Sequence, residues 1–179
     1  MCKSIVRYLR RKAIKNDISE RSRHVIPKLS QPIAIGVLMN DKDSVLIDET
    51  RQTICGFFHT KSCVFFTFDD KSEKASDTDK VRCFVGKRDL NLFGLLNKEA
   101  VNGIKSLPID MLIDVTEKQT DDLLLKDYMA SQIDSAWKVS FASEYCELFD
   151  MVIAPKDKSD IAEKIGELYK YLSMLLGNK

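Results

Sequence analysis

Six short apolar runs recur along the chain, most of them separated by stretches whose apolar positions fall at helical spacing. The first, Ile33-Ala34-Ile35-Gly36-Val37-Leu38-Met39, is apolar at every position. Successive strand residues point to opposite faces, so a run without alternation suits a strand covered on both sides, as in parallel sheets. Cys63–Phe68 and Val81–Val85 form the second and third runs and Met111–Val115 the fourth. Trp137–Phe141 is a weaker fifth and Met151–Ala154 the sixth.

The intervening segments predict helices. Ile5, Val6, Leu9 and Ala13 mark one stripe of a helix from Lys3 to Lys15, with Arg or Lys on its other faces. Residues 44–58 carry Ile47, Ile54 and Phe58 at helical spacing, and Asn97 is placed to cap a short helix bearing Val101 and Ile104. Thr120, followed by Asp121 and Asp122, suits a helix start, because a side-chain oxygen and negative charge both favour free N–H groups. Leu124, Leu125, Tyr128, Met129 and Ile133 then mark the buried face. For the last helix Ser159 is the expected cap. Ile161, Ile165, Leu168, Leu172, Leu175 and Leu176 form its stripe, and Gly177 ends it.

Strands alternating with helices predict βαβ units. The expected fold is a three-layer α/β architecture with a doubly wound, mostly parallel sheet of six strands, Rossmann-like or flavodoxin-like, and an N-terminal basic helix. Residues 1–30 read as basic helix and connector, and 31–179 as a single α/β domain. Two links depart from the scheme. Lys71–Lys80 is polar and reads as an exposed loop; residues 142–148 are too few for a crossover helix, which points to an edge position for the fifth strand.

Charge sharpens this picture. The net charge of +1 conceals a split: residues 1–30 hold nine basic side chains against two acidic ones, leaving 19 against 25 in the remainder. Such a basic helix docks on nucleic acid, an anionic lipid surface or an acidic protein face, its own body included. The partners this implies are a protein or anionic surface, or a second copy of the chain. Five cysteines without a C-x-x-C pair read as reduced thiols of a cytoplasmic protein. His24 and His59 stand too far apart in sequence to suggest a metal set. No apolar stretch approaches the ~20 residues of a membrane span, and no secretory leader is visible.

In open α/β sheets ligands bind outside the carboxyl ends of the strands, so candidate chemistry is sought there. The first such loop, Asn40-Asp41-Lys42-Asp43-Ser44, lacks the glycines of a dinucleotide fingerprint, and no Walker loop occurs. Its carboxylates repel a phosphate unless a divalent cation intervenes. Asp114 ends an apolar strand and is followed by Thr116; an acid there suits a ribose hydroxyl, a magnesium ion or a reacting proton. The plainer reading is that it orients the next loop through backbone N–H groups. Lys87, in Lys87-Arg88-Asp89-Leu90-Asn91, follows the third strand and suits either an anion or a solvated turn. Cys146 lies between Glu144 and Glu147, the opposite of the electropositive setting a reactive thiol needs. Neither histidine has a nucleophile elbow to serve. Phe65, Phe66 and Phe68 have no interleaved basic residues and read as core rather than a nucleic-acid stacking platform.

Four segments carry a resemblance: Lys87-Arg88-Asp89-Leu90-Asn91-Leu92-Phe93-Gly94, Pro108-Ile109-Asp110-Met111-Leu112-Ile113-Asp114, Phe149-Asp150-Met151-Val152-Ile153 and Tyr171-Leu172-Ser173-Met174-Leu175. With the basic helix, the chain resembles an uncharacterised domain family of Bacteroidetes proteins, one without an assigned activity. Asp110–Asp114 before an apolar helix is also similar to a strand of heptosyltransferase-like glycosyltransferases, which implies one half of a sugar-nucleotide cleft.

Two functions follow as expectations. The first is a non-enzymatic binding or regulatory module docked through its N-terminal helix. The second is a small enzyme or sensor holding a nucleotide or sugar-nucleotide at Asn40, Asp41, Lys87, Asp114 and Thr116. Nothing in the sequence specifies a cofactor.

Overall fold

The computed structural model describes residues 3–20, 33–69, 82–116, 123–154 and 159–175. Six strands form one parallel sheet: β1 (Ile33–Asn40), β2 (Thr60–Asp69), β3 (Arg82–Gly86), β4 (Ile109–Asp114), β5 (Ser135–Ser140) and β6 (Met151–Val152). Their order is β3-β2-β1-β4-β5-β6, the doubly wound order of dinucleotide-binding folds, with its switch point between β1 and β4. The helices are α1 (Lys3–Glu20), α2 (Ile47–Phe57), α3 (Lys98–Lys105), α4 (Leu123–Gln132) and α5 (Ile161–Leu175).

Two apolar cores explain why the strands lack alternation. On one face Ile35, Val37 and Met39 of β1 pack with Ile54 of α2, with Phe58 just after it, and with Ile165, Leu168 and Leu172 of α5. On the other, Leu38 and Phe66 pack with Ile104 of α3, Ile14 of α1 and the apolar side chains of α4. Gly36 sits on this second face because no larger residue fits: a Cβ there would lie 2.9 Å from the Phe66 ring and 3.1 Å from Ile109.

Each of the six predicted runs contains a strand, although Val81 lies outside the described residues and the sixth strand is only Met151–Val152, and Asn97 caps α3 as expected, its Oδ1 accepting from Ala100 N at 2.9 Å. The fifth strand, however, is internal. β6 takes the edge, because the extended chain from Asp150 to Ile153 pairs with β5: Asp150 N donates to Lys138 O and Ile153 N to Ser140 O. No α-helix is needed for this step, since a short 3-10 turn at Cys146–Leu148 carries the chain across. Helix α5 begins one residue later than expected. Asp160 Oδ1 accepts from Glu163 N (2.8 Å) and Glu163 Oε2 from Asp160 N (3.3 Å), so Asp160 rather than Ser159 closes a reciprocal capping box. Leu175 of the expected stripe is exposed. Residues 71–80, Thr120 to Asp122, Leu176, Gly177, Cys2 and His24 lie outside the described residues.

Helix α1 runs through Glu20, beyond the expected end at Lys15, because Asp17 and Ile18 continue its half-buried side. That side is rotated relative to the expected stripe: Ile5 is exposed, while Arg10 and Ile14 are buried against α4. Arg10 Nε donates to Gly94 O at 3.0 Å. Gly94 has a left-handed φ of 68°, and a Cβ on it would stand 2.7 Å from Val6, so both backbone and contact require glycine. Farther along, Asp17 lies 3.7 Å from Lys138 of β5. Residues 124–131 of α4 are consequently buried on every side, between the sheet and α1.

Gly36→Ala tests the packing of β1. It is expected to cost about 1–3 kcal/mol in urea unfolding, since the added methyl has no space beside a buried ring. A neutral substitution would show that the Phe66 side of the sheet is looser than described.

Candidate functional site

The site expected from the sequence lies where β1 and β4 end. Asp114, the last residue of β4, is 0% exposed. Its Oδ1 accepts from Thr116 N (3.1 Å) and Thr116 Oγ1 (2.6 Å), and its Oδ2 accepts from Lys126 Nζ (2.8 Å) and Ser140 Oγ (2.6 Å). A carboxylate offers about four lone-pair sites, and here each has a donor. Thr116 is likewise buried, folded back onto the acid it was expected to accompany.

Lys126 comes from the middle of α4 and is 0% exposed. Its ammonium touches Asp114, Asp127 Oδ1 at 2.7 Å and the Ala142 carbonyl oxygen, and lies 5.2 Å from the centre of the Phe149 ring. Asp127 in turn accepts from Ser143 Oγ and Glu144 N, each at 3.0 Å. One cation thus bridges two carboxylates, enclosed by α4, the ends of β4 and β5, and the turn after β5. Burial works against the charge on Lys126, but Asp114 and Asp127 outweigh it and raise its pKa above the ordinary 10.5. Burial raises the pKa of Asp127, against the opposing pull of Lys126.

At the neighbouring strand end, Asn40 is buried, with Nδ2 3.5 Å from Asp43 Oδ2. Asp41 forms an ion pair with Arg82 of β3. Arg82 also donates from Nε to Thr67 Oγ1 (3.0 Å) and stacks 5.6 Å from the Phe84 ring centre. The acidic loop therefore draws its counter-charge from within the sheet.

The strand order brings Asn40 and Asp41 beside Asp114 and Thr116, for Leu38 pairs with Asp114 and Val115 N donates to Leu38 O. It does not bring Lys87 there. Lys87 is exposed on the turn after β3, and β2 and β1 intervene, a separation of about 14 Å at ~4.8 Å per strand. That turn is fixed by Asp89, whose buried Oδ2 accepts from Gly86 N at 2.8 Å.

Sequence reasoning passed over Lys126, Asp127, Ser140 and Arg82. A signal for the first two was present: a Lys-Asp pair inside Leu123–Ala130, a segment otherwise apolar on most sides. Such a pair can be buried only with internal partners.

Other chemistry finds little footing. Cys55, Cys63, Cys83 and Cys146 are free thiols, and burial, reinforced by Cys55 and opposed by Arg51, pushes Cys63 up to about 12. Among the described residues no group of three or more His, Cys, Asp or Glu is placed to hold a metal ion, and no helix is long and apolar enough to cross a membrane. Two cavities of about 460 Å³ lie elsewhere. One is at the amino ends of β4 and β5, between Lys105 and Asp134; the other is a groove between α2 and α5.

The chain belongs to a family of unknown function, DUF6913, whose model matches residues 7–175. No curated protein and no solved structure matches it.

Lys126→Met tests the buried network. Removing the cation leaves two enclosed carboxylates without a counter-charge, at an expected cost of about 3–5 kcal/mol in denaturant unfolding at neutral pH. The sign of the pH dependence follows from Asp127: with its pKa raised, the folded state takes up that proton before the unfolded chain does. Lys126 opposes that rise, so its removal raises Asp127 further; acidification then favours the folded variant more than the wild type, and the deficit shrinks as pH falls. A deficit independent of pH would contradict the assignment.

Proposed function

We propose that this chain is a non-enzymatic binding module of the cytoplasm, which engages an acidic protein partner through the outer face of α1. One observation carries the reading. Arg7, Arg11, Lys12 and Lys15 all face solvent around an exposed Tyr8, and among the described residues none of the four forms an ion pair. The opposite side of the same helix is committed to the body of the chain: Val6 and Arg10 meet Gly94 and Ile14 is buried in the core beside α4. An exposed basic stripe on a rigidly seated helix supplies long-range attraction, and a tyrosine at its centre supplies contact area at low entropic cost.

The helix's apolar side argues for protein over lipid. A membrane-surface helix buries its apolar face among acyl chains, but here that face is occupied by the body of the chain. The nucleotide reading has the strand order in its favour, because β1 and β4 part at a switch point beside Asn40 and Asp114. Against it stands the saturation of Asp114 by its own neighbours, which leaves no lone pair for a ribose or a metal.

The test is a photo-crosslinking residue at position 8 in the native cell, with the same residue at exposed Val45 as control. The reading expects a discrete protein adduct from position 8, lost on Arg11→Glu/Lys12→Glu/Lys15→Glu while the melting temperature stays unchanged. Adducts to lipid or nucleic acid, or none specific to position 8, would overturn it.

A further inference from the structure

Between β3 and α3 the chain reads Asp89-Leu90-Asn91-Leu92-Phe93-Gly94-Leu95-Leu96-Asn97. A turn between two elements ordinarily holds polar residues and glycine, yet five of these positions are Leu or Phe. Three of the five have a structural account: Leu96 is buried, and Leu90 and Leu95 pack against the same core. Leu92 and Phe93 have none, for they are 87% and 55% exposed at the tip. Two adjacent large apolar side chains in solvent are a patch rather than a single scattered exposure.

The turn that displays them is braced throughout. Leu90 and Leu96 form an antiparallel bridge. The amides of Asn91 and of Phe93 through Asn97 each donate a hydrogen bond, two of them to Asn91 Oδ1. Gly94 fastens the tip to α1, since it lies against Val6 and its carbonyl oxygen accepts from the buried Arg10. Leu92 and Phe93 are thus presented on a fixed backbone. Such preorganisation lowers the entropy lost on binding. It serves a partner of fixed shape, whereas a fluid bilayer surface takes up a mobile loop as readily.

The surroundings of the tip are basic. Residues 87–99 expose Lys87, Arg88 and Lys98 against Glu99 alone, because Asp89 is buried with its carboxylate on Gly86 N. On α1, exposed Arg7 stands three residues before Arg10, about 60° around the helix, so the basic stripe begins beside the turn. Tyr8 lies on the far side of α1 from Gly94. An interface of standard size, about 800 Å² on each partner, is wider than the roughly 10–12 Å diameter of a helix, so one partner reaches both.

We infer, on the premise that α1 engages an acidic protein, that Leu92 and Phe93 are the apolar anchor of that interface, and that the partner meets them with a segment carrying large apolar side chains between Asp or Glu residues. The apolar contact supplies most of the affinity, while the carboxylates, set against Arg7, Arg88 and their neighbours, guide approach and fix orientation.

The test places a photo-crosslinking residue at position 92 of the full chain in the native cell, beside the one at position 8, and maps the joined peptides by mass spectrometry. Both positions are expected to reach one polypeptide, and position 92 to reach a segment with large apolar residues next to Asp or Glu. Leu92→Ser/Phe93→Ser is expected to lower the adduct yield from position 8 on the order of tenfold or more, as loss of an anchor does. Its melting temperature stays unchanged, because both side chains are exposed. A position 8 adduct undiminished in this variant overturns the anchor and leaves the basic face of α1 standing. Absence of any protein adduct from position 8 in the wild type overturns both. Lipid adducts from position 92, or a joined segment without acidic residues, overturn the anchor as well.

Discussion

The constraint on which the rest of the structure depends is the burial of a charged lysine in a helix with no solvent-facing side. Helix α4 lies between the sheet and α1, so Lys126 has no route to water and must be neutralised where it stands. Asp114 at the end of β4, Asp127 on the same helix and the Ala142 carbonyl do this together. Removing two or three charges from water costs several kcal/mol per ion, and only near-complete hydrogen bonding offsets it. That requirement fixes the turn after β5, because Ser140, Ser143 and Glu144 N must all present donors to the two carboxylates. It also gives α1 a structural role, since without this helix the outer side of α4 faces solvent.

This arrangement ties the strand ends into the interior. In doubly wound sheets the switch point is the usual ligand crevice, and an acid closing the fourth strand invites a catalytic or nucleotide-binding assignment. Here the acid has been recruited into the interior, and the neighbouring Asp41 is paired with Arg82. Fold alone assigns no function here: the sheet has the strand order of dinucleotide-binding folds, while Asp114, Lys126 and Asp127 at its switch point are engaged with one another. The basic surface left over is helical, the outer face of α1.

Much of the fold was legible because double-sided apolar runs are distinctive. Ile33–Met39 admits few readings other than a strand covered on both faces, and Asn97 identifies its own cap. The edge position of β6 was not legible, because two strand residues and a 3-10 turn leave no periodic trace. The cap of α5 was misplaced by one residue since Ser159 and Asp160 both suit the role, and only the reciprocal reach of Glu163 distinguishes them. The plainer reading of Asp114 matches its hydrogen bonds, yet the identity of its partner was hidden. Lys126 stands twelve residues away, and its set of contacts is drawn from separate segments. Arg10 misled for a related reason. Amphipathic patterning assigns arginine to solvent, and nothing in the local sequence announces that the Gly94 carbonyl will accept its guanidinium.

The central claim is that Lys126 is a buried, permanently charged ammonium held by two carboxylates. Heteronuclear NMR of the lysine Nζ groups measures this directly. The raised pKa means that the folded state keeps this proton where the unfolded chain would lose it, so its contribution to stability is complete below 10.5 and fades only as pH climbs through the raised value. The account predicts one ammonium resonance, absent in Lys126→Met, with slowly exchanging protons and a titration midpoint above 10.5. A Lys126 signal that exchanges like the surface lysines, or that titrates below this value, would contradict it.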